Sequence, residues 1–291
     1  MNARRVALVV DSGAALEQRV AAGLAVVPMH VVIGDTPLGD SADGEVYERL
    51  RRGERATTST PSPGDYLAAY QSLDGGFDSI VCLTIPAHWS GTLASARLAA
   101  NMFSADHPST TVDVIETPLA AVAYGLVARV ADALAVAGAD RREVLSRVRR
   151  ACAEARMYGA LETLEHVARS GRVPALVAGV SNALHVRPVF EMHGGGTGRV
   201  ALARTEAGVL RALERVARER LDPIRPQWLM VFHADAREAA GRLRERLLAA
   251  CTVAREETVA LSAVIGVHAG PGALGFGALP LDPPDLAAVC A

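Results

Sequence analysis

Two hydroxyl-rich segments are where this chain could do chemistry. The first is Thr57-Thr58-Ser59-Thr60-Pro61-Ser62-Pro63-Gly64-Asp65. Ser62, with Pro63 next and Asp65 three residues on, has the spacing of a helix N-cap with a first-turn proline and a reciprocal acidic partner. With Ser62 committed to the cap, Thr58 and Ser59 are spare hydroxyls at the helix entrance, able to hold an anion or to close a turn. The second segment, His88-Trp89-Ser90-Gly91-Thr92, follows the apolar run Ser79–Ile85 and leads into a helical pattern through Leu93, Ala96, Ala100 and Phe103. Ser90 therefore falls where strand becomes helix, the position at which open α/β sheets bind ligands and unpaired N–H groups face outward. It is either a helix cap or an anion ligand.

A serine on such a turn also raises nucleophilic catalysis. The nucleophile elbow requires glycine two residues before the serine, and His88 stands there, so only a generic Ser90, His268 and Asp11 arrangement for hydrolysing acyl esters remains. The run Gly266-Val267-His268-Ala269-Gly270-Pro271-Gly272-Ala273-Leu274-Gly275 fits no nucleotide fingerprint and reads as a tight turn between strands. His268 beside it is a structural group or a donor at a site. Arg172, after a helical stretch, is a surface arginine, an anion clamp or a partner contact.

All 30 basic residues are arginine, which excludes a phosphate loop ending in lysine, a Schiff-base lysine and a kinase that grips its nucleotide through lysine. The eight histidines make no H-E-x-x-H, the four cysteines make no C-x-x-C, and no carboxylate pair shares a helix face, so no metal is expected. The cysteine usage and the lack of a signal-peptide core at the N-terminus lead us to expect a cytoplasmic protein with reduced thiols. Thirty basic against 32 acidic residues give a net charge of −2, with no field to favour nucleic acid or an anionic membrane.

The elements that must position these residues follow from periodicity. With 291 residues, half of them hydrophobic, the chain has the size of two domains. Val6–Val10, Ser79–Ile85 and Val112–Ile115 read as buried strands, and Leu24–Ile33 as two extended pieces split by Pro28. The apolar stretch from Pro118 to Gly138 is broken by Arg129 and Asp132, which makes it a buried helix and not a membrane span. Helices are predicted over Tyr158–Arg169 and Pro174–Leu184, then a hairpin of Val186–Met192 and Arg199–Thr205 about Gly194–Gly196. A helix over Gly208–Arg220, a strand at Trp228–His233, a helix over Arg237–Ala250 and strands at Val264–His268 and Leu274–Leu279 complete the chain. The expected fold class is α/β: an N-terminal α/β domain (1–155) with a mainly parallel sheet, followed by a C-terminal α+β domain (156–291).

Singly these signals are weak, and their order is not. The series Asp11-Ser12, Val27-Pro28, Thr58-Ser59-x-Pro61-Ser62-Pro63, Ser90-Gly91-Thr92, Gly171-Arg172 and His268-x-Gly270-Pro271-Gly272 resembles the DegV family of bacterial fatty-acid-binding proteins. Arg187-Pro188 and His233-Ala234-Asp235 look like further family sequence. The resemblance implies two domains holding a long-chain fatty acid such as palmitate or oleate, without a cofactor. Its carboxylate would be bound by Thr58 and Ser90, with His268 in the same hydrogen-bond network and Ser59, Gly91 and Thr92 in support. Arg172 would help engage a partner. Some family members present the acid to a fatty-acid kinase as a non-catalytic subunit, which agrees with the missing lysine and nucleotide loop. The chain departs from the family at Gly13, commonly threonine, at Ala15, usually acidic, at Thr60, often glutamine, and at Pro86-Ala87, frequently serines.

Overall fold

The computed structural model describes residues 5–16, 23–38, 44–173 and 186–290. The first sheet is wholly parallel, in the order β2-β1-β6-β7, from β1 (Val6–Asp11), β2 (Leu24–Val27), β6 (Ser79–Thr84) and β7 (Thr111–Glu116). Its centre is buried on both faces, which is why β1 and β6 are continuous apolar runs and not alternating ones. Pro28 does split the second run: β2 joins this sheet, and β3 (His30–Ile33) turns away to pair with β4 (Thr36–Leu38) and β5 (Ala56–Ser59) in a small antiparallel sheet. Helices α1 (Gly44–Arg51), α2 (Pro63–Leu73), α3 (Thr92–Asp106), α4 (Ala121–Val136) and α5 (Arg141–Glu154) complete this part. The cap read at Ser62 is present, with the Asp65 N–H donating to Ser62 Oγ and the Ser62 N–H to Asp65 Oδ2.

The second large sheet runs β10-β9-β8-β13-β11-β12 and is antiparallel except where β11 meets β12. Its strands are β8 (Arg156–Ala160), β9 (Arg187–His193), β10 (Gly196–Ala203), β11 (Gln227–His233), β12 (Val253–Ala260) and β13 (Leu274–Pro280). The helices of this half are α6 (Glu165–Ser170), α7 (Glu206–Arg220), α8 (Arg237–Leu248), α9 (Ala263–Ala269) and α10 (Pro283–Val289). One face lies under α7 and α8 and the other packs on α4. Because α4 also contacts β1, it joins the two large sheets, and it is apolar nearly all round for that reason.

Two expectations change. Residues 156–160 are a central strand and not the start of a helix over Tyr158–Arg169; only Glu165–Ser170 is helical. A short apolar run buried on both faces carries no period to separate strand from helix. Val264–His268 belongs to a helix and not a strand, since Ser262 caps it and Ala263, Val264, Gly266 and Val267 fall on one buried face at helical spacing. The half-exposed β12, rich in charge, went unpredicted. The helix expected over Pro174–Leu184 lies outside the described residues.

Candidate functional site

The two hydroxyl segments meet at one cavity. Strand β5 is held against β3 with Thr58 opposite Val31, so strand alternation sets which way the half-buried Thr58 side chain points. Its Oγ1 lies 3.1 Å from Nε2 of His268, 210 residues away in sequence, near the end of α9. The run over residues 266–275, expected as a turn between strands, instead ends helix α9 at Ala269 before turning: Gly270 and Gly272 have φ of 81° and 79°, a left-handed region open to glycine. A Cβ on Gly270 would in addition strike the His166 ring.

Ser90 ends the turn that follows β6. Its Oγ accepts a hydrogen bond from the Thr92 N–H at 3.4 Å and lies 3.2 Å from Oγ1 of Thr60. The cap position of α3 is Gly91, which has no side chain to offer the helix. Ser90 therefore touches the first turn of α3 without being its cap, and with Gly91 it faces the cavity. Thr60, which sequence reasoning set aside as a departure, directly follows β5, two residues after Thr58, and lines the same cavity. Trp89 Nε1 donates to the Arg172 carbonyl at 3.0 Å and ties the segment after α6 to the mouth of the site.

The cavity has a volume of about 400 Å³, within the ordinary range for small-molecule pockets. Thr58, Ser59, Ser90, Gly91, Arg172 and His268 all line it; Thr92, the first residue of α3, is fully buried and does not. The remaining wall is largely aliphatic, with Met29, Ile85 and Ala121 from one half of the chain and Leu161, Phe190 and Val264 from the other. Burial, and then the charge of Arg172, push the His268 imidazole down to about 4, so the ring is neutral at physiological pH. A neutral ring and hydroxyls beside a helix N-terminus can hold an anion through hydrogen bonds.

The hydrolytic arrangement is not assembled. His268 is bonded to Thr58, and Ser90 to Thr60 and Thr92. The carboxylate of Asp11 accepts from the backbone N–H groups of Gly13 and Ile85. A side chain at position 13 would meet Asp11 Oδ1 at 2.7 Å and Ile85 at 2.9 Å, so glycine in place of the family's common threonine keeps this buried carboxylate in reach of both donors. Among the described residues there is no group of histidines, cysteines and carboxylates that could hold a metal ion, and no helix long and apolar enough to cross a membrane.

Comparison with known proteins agrees with the order of motifs. The DegV family pattern matches residues 5–281. A DegV domain-containing protein of Streptomyces coelicolor is 32% identical over 279 residues, spanning 94% of this chain and 97% of the relative. The structure of a DegV family protein from Thermus thermophilus, described for its fatty-acid binding, superposes with a TM-score of 0.83 at 28% identity, covering 95% of this chain and all of that one. A DegV lipid-binding protein from Thermotoga maritima gives 0.83 at 27% identity, covering 96% and 99%.

Proposed function

Since this chain belongs to the DegV family, we propose that it binds one long-chain fatty acid, with the carboxylate at Thr58 and Ser90 and the acyl tail in the aliphatic cavity. The observation that carries this reading is a single cavity lined both by hydroxyls with a neutral imidazole and by largely aliphatic side chains.

With its proton on Nε2, the His268 ring donates to Thr58 Oγ1, and the Thr58 hydroxyl proton then points at a carboxylate oxygen. Ser90, oriented by Thr60 and the Thr92 N–H, holds the other oxygen at the start of α3, with Ser59 and Gly91 flanking. Affinity comes mainly from the tail, at about 0.8 kcal/mol for each buried methylene, and the head group sets orientation. No arginine pairs directly with the carboxylate in this arrangement, and each oxygen, accepting one hydrogen bond, keeps a second lone pair accessible for transfer.

The role is that of a carrier without catalysis of its own. It presents the acid to lipid metabolism in the cytoplasm, in keeping with four free cysteines, and a fatty-acid kinase is the partner that its missing nucleotide loop calls for. Arg172, exposed at the cavity mouth, is the residue we assign to that contact. The acid then lies between residues 1–155 and 156–291, each of which supplies about half the wall.

Native mass spectrometry of the freshly purified protein, followed by solvent extraction, tests the reading. We expect an adduct with the mass of a long-chain fatty acid at near-equal stoichiometry. Ligand-free protein that also fails to take up added palmitate or oleate overturns it.

A further inference from the structure

Three of the six methionines in the chain, Met29, Met157 and Met192, line the cavity, and all three are buried. Two of them form a unit. Met157 on β8 lies directly opposite Met192 on β9, and two residues further the same face carries Gly159 opposite Phe190. A Cβ on Gly159 would come within 2.8 Å of the Phe190 ring, so the ring fills the space that the glycine leaves. Leu161 ends this row, and its neighbour Glu162 lies against Gly272, just past His268. From Leu161 to Met157 is four strand residues, about 13 Å. Beyond Met192 the hairpin turn is fastened down: the Gly195 N–H donates to the Pro118 carbonyl at 2.9 Å, two residues before Ala120 and Ala121 of the opposite wall.

We infer that the Met157–Met192 pair is the stop of the tail cavity and sets which acyl tails it accepts. This rests on the fatty-acid reading above. An unbranched thioether repacks at little cost, so a stop made of two methionines yields to a cis-kinked tail as readily as to a straight one. A β-branched or aromatic side chain at either position is stiffer and makes the stop fixed.

The test is competition among equimolar dodecanoate, myristate, palmitate, stearate and oleate, read by native mass spectrometry on the full chain. Wild type is expected to hold stearate and oleate comparably. Met192→Phe shifts the preference to shorter tails, by about fourfold for each methylene the phenyl ring excludes. Met192→Ala shifts it the other way, and Met157→Ile with Met192→Ile disfavours oleate against stearate. Should the phenylalanine variant fail to fold, Met192→Ala and Met157→Ala carry the comparison. Variants that bind fatty acid with the wild-type tail preference overturn the stop while leaving the ligand class intact. A wild-type protein that takes up none of the five acids overturns the ligand class, and the stop with it.

Discussion

Thr58→Val removes the hydroxyl that contacts His268, and that we propose holds the carboxylate, while keeping the shape and branching that suit β5. Thr58 is half-buried and its backbone pairing with Val31 is untouched, so the fold should survive and the melting curve should stay cooperative. A hydrogen bond to a charged group is worth about 1.5–3 kcal/mol, which corresponds to roughly 10- to 150-fold in affinity. The tail lies against other residues, so the gain per methylene should remain about fourfold in the variant as in the wild type. Displacement of a fluorescent fatty acid by a series from dodecanoate to stearate measures both quantities at once. Two parallel lines of log affinity against chain length are expected, separated by the head-group loss. Unchanged affinity in a folded variant, or a loss that grows with chain length, would refute the division of labour between hydroxyls and cavity.

Because burial holds the His268 pKa near 4, its charge does not change between pH 6.5 and 8.5, and affinity titrated over that range should be flat. Affinity rising as pH falls through 7 would mean that an imidazolium holds the carboxylate. The same group predicts acid sensitivity of the free protein. The unfolded chain takes up this proton near pH 6.5 and the folded chain only near 4, so stability falls as pH drops between those values, by up to about 3 kcal/mol. Urea midpoints at pH 7 and pH 4.5 check this, and His268→Gln should reduce the difference. Elsewhere, Arg147 Nε donates to Asp285 at 2.7 Å with the two side chains only 3% and 1% exposed. Asp285→Ala should cost about 3–5 kcal/mol in urea denaturation, and Arg147→Met with Asp285→Leu should recover much of it; an unaffected single variant would show that the pair is hydrated.

Features that depend on a few neighbouring residues were readable along the chain. The Ser62 cap, the break at Pro28 and the turn at Gly270 each follow from one residue type at one local position, and each is present. Thr58 and Ser90 could be picked out as spare hydroxyls near helix starts, but only the order of motifs suggested that they act together. Thr60 was passed over because its contact with Ser90 joins segments 30 residues apart in the chain. Strand β8 was misread because a strand buried between α4 on one face and α7 on the other has no polar side to mark its period.

What the sequence determined by itself is chemical inventory and local geometry: no lysine for nucleotide chemistry, hydroxyls at helix entrances, glycine where the backbone turns left-handed. What only the tertiary structure decided is everything that spans the chain. Thr58 and His268 are 210 residues apart, and Met157 and Met192 become neighbours only through strand pairing. The neutral charge state of His268 is likewise a tertiary property, because an imidazole loses its proton near pH 4 only when packing removes the water that would stabilise its charge.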